Sequence, residues 1–500
     1  MPYGWILALG ALVLLAPSAP AAETPLRAGV AKVEISDPRV KGPGEPPHVK
    51  ALAVSNGETT AVIVTVDAVA IGGIGPIPND YLGKVRSRLE TELRIEPANV
   101  MINASHCHAI VCKDVDDRTV QAVKQAIAGM VPVRVGAGVG REDRIMENRR
   151  LTLKSGRVAD VRHAYSLPPD EDLAGIGPVD PEIGVLRLDR QDGRPLALVY
   201  QFACHPIQGH RGSQNTSDLV GFASRVIEDN LGDGALALFL QGCGGDINPI
   251  GYKDVHSPRD AEPLGDMLGL GALKAARKIA CRDRAALRVI NETVALPRAN
   301  IPPRIAALEA EQARLLESLQ GTSLNLKTFV PLYVKYQVSP AFPSADSHAY
   351  RHGESIGRDE LAKLDAANRA NIDQYIANIR VMEELTRVRT NLALLKMHLA
   401  QTVAAGKPTI EVEVVGLRIG DFVLVTAPGE LTVQTGLDLK KQSPHELTFI
   451  SGYTNGYIYY LPTAEQLRNP GHAQEDCDTL VAPEWQAIFE ARALAILRRL

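Results

Sequence analysis

The stretch from Ala61 to Asn103, AVIVTVDAVAIGGIGPIPNDYLGKVRSRLETELRIEPANVMIN, decides the fold class. It opens on a β-branched run, Ala61 to Asp67, which fits a pleated strand better than a helix. Asp80 to Leu93 has the alternation of an amphipathic helix. Asn99 to Asn103 reads as a short strand ending in polar residues. Strand, helix and strand in one unit predict an α/β architecture.

The same alternation extends outward from this unit. Arg118 to Met130, Val220 to Asn230 and Glu262 to Ala280 read as helices. Val131 to Val139, Val185 to Leu188, Leu196 to Phe202 and Ala235 to Leu240 read as strands. Composition shifts near residue 300. Ile305 to Leu319 and Asp359 to Gln401 are rich in Ala, Leu, Glu and Arg at helical spacing. Between them, Thr322 to Gly357 carries Pro, Ser and the aromatics Phe329, Tyr333, Tyr336, Phe342 and Tyr350. That segment reads either as the long loop of a helical hairpin or as a lid walling a substrate site. Strands resume at Ile410 to Leu417 and Phe422 to Thr426, and a helix from Glu484 to Arg499 closes the chain. The expectation is mixed β-sheets flanked by helices. They form one domain over 22–500, with a helical cap inserted at about 303–404.

The chain has 500 residues, 45% of them apolar and 22% charged, which is ample material for a globular core. A formal net charge of −4, with no basic run, argues against nucleic acid as a partner. Ile6 to Leu15 form an apolar stretch followed by Ala19-Pro20-Ala21, an A-x-A-like cleavage site, so residues 1–21 read as a signal peptide and the chain as secreted or periplasmic. No Lys or Arg precedes that stretch, and it is shorter than the roughly 20 residues a membrane span needs. The six cysteines are Cys107, Cys112, Cys204, Cys243, Cys281 and Cys477. An exported chain permits disulfides, and Cys107–Cys112 is the pair that reads best as one. The others read as small buried residues.

Chemistry concentrates where strands end. His106 and His108 lie in NASHCHA, directly after one predicted strand, and His205 lies in FACHP after another. An H-x-H pair on extended backbone sends both rings to one side, and neutral imidazole is the commonest metal ligand. A catalytic zinc site needs about three protein ligands and an open position, so a carboxylate is wanted. Candidates are Asp246 in GGDINP, Glu430 in TAPGE and Asp218 in TSDLVG. Each also has a plainer reading, as a turn residue, a helix start and an N-cap respectively. Neither G-x-S-x-G nor H-E-x-x-H occurs, nor a phosphate-cradling glycine motif. The missing serine elbow favours water activated by a metal over a serine nucleophile.

Eight segments occur together in order: RAGVAKVEISDP, NASHCHA, MENRR, GPVDPEIGVLRL, FACHP with TSDLVG, QGCGGDINP, TAPGE and GYTNGYIYYLPT. As a set they resemble the neutral ceramidase family, whose members cleave the amide of ceramide. The resemblance runs from about Leu26 to the C-terminus. It implies a Zn2+ site of two histidines, a glutamate and a tyrosine, which fall on His106, His205, Glu430 and Tyr460, with Tyr457 the second choice for the tyrosine. It implies that His108 sits beside the metal and that Arg149 faces the scissile carbonyl. Three departures stand out. Asn248 replaces a serine to which the family assigns a catalytic role. A family tyrosine is replaced near Pro470-Gly471-His472. Ceramidases continue into a C-terminal β-sandwich, whereas this sequence stops after the closing helix.

The expectation from these readings is a zinc-dependent hydrolase cleaving an N-acyl amide bond. Arg149 would stabilise the oxyanion and His108 would carry a proton to the leaving amine. Asp246 would orient a histidine ligand. The substrate would be a small molecule or lipid, with peripheral contact to membrane lipid compatible with that class, and no protein partner is expected. Two alternatives stay open: hydrolysis of a different ester, amide or glycan, and a secreted binding protein without catalysis.

Overall fold

The structure, a computed structural model, describes residues 23–40, 44–161, 167–209, 215–252, 254, 256, 259–340, 347–469 and 473–500. The expected signal peptide, Phe342 and Pro470-Gly471-His472 lie outside the described residues. β1 (Glu23–Glu34), β2 (His48–Ser55) and β3 (Thr60–Val66) come first, then α1 (Tyr81–Leu93), β4 (Val100–Ala104) and α2 (Val115–Ala128). β5 (Val131–Arg141) leads through the short strands β6 (Met146–Asn148), β7 (Arg150–Leu153), β8 (Val158–Asp160) and β9 (Leu173–Ile176) to β10 (Glu182–Arg190) and β11 (Pro195–Phe202). α3 (Asp218–Leu231), β12 (Leu236–Gln241), β13 (Ile247–Pro249), α4 (Glu262–Ala276) and β14 (Arg284–Pro297) follow. Four helices come next: α5 (Pro302–Ser318), α6 (Leu326–Val338), α7 (Ser347–Ser355) and α8 (Glu360–Ala405). The chain ends with β15 (Thr409–Ile419), β16 (Phe422–Thr426), β17 (Glu430–Leu431), α9 (Val433–Gln442), β18 (Thr448–Ser451), β19 (Tyr460–Leu461) and α10 (Trp485–Leu497).

Twelve strands join in one mixed sheet that branches at β1. One path runs β12-β11-β10-β5-β1-β14-β15-β16-β18, and β2, β3 and β4 continue from β1 on the other side. The two halves face each other. Leu52 and Ile63 from one half share a buried cluster with Val199, Leu238, Leu424 and Phe449 from the other. β3 shows why its sequence is apolar almost throughout. Val62, Val64 and Val66 point into the cluster under α1 and α2, while Ala61 and Ile63 point into the inter-sheet cluster. A strand covered on both faces loses the usual apolar-polar alternation. α3 and α4 cover the outer face near β10 to β12, and Trp485 and Phe489 of α10 cover β14 to β16. The α/β reading therefore holds, as a helix-sheet-sheet-helix arrangement.

Four parallel pairs carry the site: β3 with β4, β11 with β12, β16 with β18, and the short β17 with β19. Parallel pairing brings the carboxyl ends of both partners to one edge, and ligand sites gather there.

Two expectations are corrected. The stretch expected to be a loop holds α6 and α7, and Phe329 and Tyr336 serve the packing of the helices themselves. Phe329 stacks on Tyr375 of α8 at 4.4 Å, and Tyr336 donates to Asp365. Helical burial of Phe329 and Tyr336 against α8 outweighed the Pro and Ser signal. All six cysteines are free thiols, Cys107 and Cys112 included. Those two thiols face different partners, Ser105 for Cys107 and Asp114 for Cys112.

Phe449 is fully buried and stacked on Phe422 at 4.8 Å between the two sheet halves. Phe449→Ala is expected to cost about 3–5 kcal/mol of stability, read as a lower midpoint in denaturant unfolding. An unchanged midpoint would contradict this packing.

Candidate active site

The site forms where the parallel strands end. After β4 the backbone is pinned by three bonds: Ala104 N–H to Tyr453 O, Ser105 N–H to Val66 O and His106 N–H to Ala68 O. These hold His106 at φ 68°, in the left-handed region. Such a residue costs about 1–3 kcal/mol, and its surroundings must over-determine it. His106 and His108 therefore do not sit on a strand, and they do not share a side by strand periodicity. His106 turns inward to 2% exposure while His108 stays exposed, with ring centroids 5.7 Å apart. His205 follows β11, and its N–H donates to Ile247 O of β13. Glu430 opens β17, paired in register with Tyr460 of β19. Gly429 just before it has no alternative, because a Cβ there would lie 2.7 Å from Tyr459 O.

These elements bring His106, His205 and Glu430 together, with all three ligand atoms within 4.8 Å of one another. Each residue is 2% exposed. His106 Nδ1 meets Val69 O at 2.6 Å, and His205 Nδ1 meets Ile247 O at 2.9 Å. A carbonyl only accepts, so each ring hydrogen is on Nδ1 and each Nε2 presents a lone pair. Burial pushes His106 down to about 4 despite Glu430 beside it. Burial and Arg149 likewise lower His205. Both rings are therefore neutral at ordinary pH. Burial opposes ionisation of Glu430, but His106, His205 and the Tyr457 hydroxyl outweigh it and hold the carboxyl below its usual range.

Glu430 Oε2 thus lies 3.1 Å from His205 Nε2 and 3.6 Å from His106 Nε2. Two lone pairs and a carboxylate converge, a set that could hold a metal ion. The donor set of two imidazoles and a carboxylate suits zinc. The Nδ1–carbonyl bonds are the supporting contacts that fix ring orientation in metal sites.

Around this cluster, Tyr453 Oη donates to Glu430 Oε2 at 3.1 Å, and Tyr457 Oη donates to Oε1. Tyr460 Oη accepts from Arg149 Nη2 at 3.1 Å. Arg149, 1% exposed, also donates to Asn248 Oδ1 at 3.1 Å and Gly245 O at 2.6 Å, and pairs through Nε with Glu475 at 2.6 Å. Glu475 and its neighbour Asp476 bind Arg150, so a buried chain of alternating charges backs the site. Asn248 is fully buried, and among the described residues no acceptor meets its Nδ2.

Asp246 does not take the role expected of it. The carbonyl of Val69, just after β3, and that of Ile247, in β13, orient the histidines. Asp246 instead accepts from Val433 N–H at 2.8 Å at the start of α9 and from Asn148 Nδ2 at 3.4 Å, and its backbone carbonyl accepts from Arg149 N–H. Asp218 accepts from Gly209 N–H and from Leu219 N–H, but α3 begins at Asp218 itself and carries no side-chain cap, so the N-cap reading is corrected. Tyr453 and Glu475 escaped the sequence reading. Tyr453 lay inside the GYTNGYIYYLPT motif with no feature separating it from its neighbours, and Glu475 lies in an acidic run that looks solvent-exposed.

His205→Ala is expected to weaken zinc binding by more than the roughly 10–100-fold that a supporting contact is worth, measured by competition with a chromophoric chelator. Wild-type affinity in that variant would remove His205 from the donor set.

No protein-family model matches the chain, and no curated protein matches it in sequence. Solved structures do. Neutral ceramidase from Pseudomonas aeruginosa aligns with a TM-score of 0.59 at 16% identity, over 96% of this chain and 74% of that one. A ceramidase complexed with C2 aligns with a TM-score of 0.59 at 15% identity, over 95% of this chain and 75% of that one. At that identity the likeness establishes architecture, and the chain has a ceramidase-like fold.

Proposed function

We propose that the chain is a zinc-dependent hydrolase that cleaves an N-acyl amide bond, ceramide being the first substrate to test. The observation that carries this reading is the buried convergence of His106, His205 and Glu430 on one point, with both Nδ1 atoms tied back. Tyr460, in register with Glu430, is the fourth proposed ligand, ahead of Tyr457, whose hydroxyl donates to Glu430. Zinc held there supplies Lewis acidity to a water and to the scissile carbonyl.

The chain's own residues do the rest. Arg149 stays charged beside Glu475 and Tyr460 and stabilises charge developing on the carbonyl oxygen. Its bond to Asn248 Oδ1 turns that amide so that Nδ2 remains as a second donor to the substrate. An amide cannot act as a nucleophile, so no acyl intermediate forms at this position. His108, exposed beside His106, exchanges protons with solvent and delivers one to the leaving amine. Asp246 holds Arg149 and α9 in place through its backbone and side chain. A secreted or periplasmic location and a lipid or other small-molecule substrate belong to the same proposal. Among the described residues, no helix is long and apolar enough to cross a membrane.

Fatty-acid release from a fluorescent ceramide by the zinc-loaded chain, abolished by a chelator and restored by zinc, is the expected result. Arg149→Ala should lower kcat by about 10²–10³-fold, and Asn248→Ala should lower kcat while keeping full zinc occupancy. Release that persists without metal would sink the mechanism. Zinc bound without release would move the search to other amides, esters and glycans. Zinc bound with no exchangeable water would favour the binding-protein alternative.

A further inference from the structure

A second site lies away from the histidine cluster. Helix α5 and the turn at Gln466–Asn469 enclose a cleft of about 590 Å³, within the range of small-molecule sites. Arg157, Arg304, Arg314 and Arg468 line it above Leu308 and Leu467. Arg304, Leu308 and Glu311 fall at i, i+4 and i+7, on one face of α5, and Arg314 flanks it. Leu308 and Leu467 are 5% and 9% exposed and form an apolar floor. One carboxylate, Glu311, reaches the cleft, and it is already engaged by Arg387 Nη2 at 2.9 Å. Four arginines and one carboxylate, itself held by Arg387, therefore line the cleft, in a chain whose net charge is −4. Planar guanidinium pairs with carboxylate, phosphate or sulfate through two parallel hydrogen bonds.

We propose that this cleft binds an amphiphilic anion: one carboxylate, phosphate or sulfate head on an apolar tail, the head among the arginines and the tail along Leu308 and Leu467. The cleft also shares a wall with the loop behind the candidate active site. Arg304 Nη2 donates to Asp476 O at 2.5 Å and Asn469 Nδ2 to Asp476 Oδ2 at 2.8 Å. The next residue back, Glu475, holds Arg149. An occupant would brace that loop.

The test is titration calorimetry on the metal-free full chain with dodecanoate and dodecyl phosphate, each below its micelle concentration. Inorganic phosphate and uncharged dodecyl maltoside are the controls. The dodecyl anions are expected to bind one to one and to weaken as salt rises. Arg314→Ala and Arg468→Ala should each weaken binding by about tenfold or more, while Arg194→Ala, at a distant surface pair with Asp192, should leave it unchanged. Whichever anion binds more tightly names the head group. Arg314 and Arg468 are exposed and outside the proposed catalytic set, so these variants should fold, which circular dichroism checks. Equal binding of dodecyl maltoside, equal binding of inorganic phosphate, or unchanged affinity in the double variant would each overturn the proposal. Because the metal-free chain is used, the result is separable from the hydrolase reading.

Discussion

Glu430 is a carboxylate held ionised at 2% exposure, and much of the surrounding structure exists to keep it so. An isolated buried carboxylate is strongly disfavoured and would take up a proton instead. Here two tyrosine hydroxyls donate to its oxygens. Several backbone features meet this demand. His106 at φ 68° and Tyr453 at φ 53° both adopt left-handed conformations, and the two rings lie 4.3 Å apart. The strand end after β4 is bonded to the strand end after β18 through Ala104 N–H and Tyr453 O. Two local strains are thus held by one shared contact, the arrangement expected where strain is tied to function.

A second polar layer lies behind the first. Arg149, Glu475, Arg150 and Asp476 alternate in charge, and each is at most 3% exposed. Removing one member of such a buried set leaves an uncompensated charge and costs about 3–5 kcal/mol. The layer links the site to the helical insertion. Asp478, two residues beyond Asp476, meets His398 of α8 through its carboxylate and Tyr460 N–H through its carbonyl. The 46-residue helix α8 is therefore anchored to the strand that carries a proposed ligand.

Sequence and structure agree where one physical rule dominates. β3, β11, β16 and α1 were legible because β-branched runs and amphipathic periods are set by burial on known faces. His106, His205 and Glu430 were legible because each follows a strand, and the resemblance singled out that set. The histidine partners were not, since backbone carbonyls carry no sequence signal. Asp246 looked like a contact to a ring because it is a carboxylate after a strand, but the carbonyl of its neighbour Ile247 takes that place. The left-handed turn at His106 was invisible in NASHCHA, where spacing alone suggested extended chain. α6 and α7 were hidden by Pro331 and neighbouring polar residues, although Phe329 and Tyr336 bury against α8.

The central claim is that these three side chains form one metal centre. Zinc-edge anomalous diffraction from crystals of the zinc-loaded chain tests it directly. The account predicts a single strong peak bounded by His106 Nε2, His205 Nε2 and a Glu430 oxygen, at about 2.0–2.2 Å from each. No peak there, or a peak held by cysteine sulfur elsewhere in the chain, would contradict it.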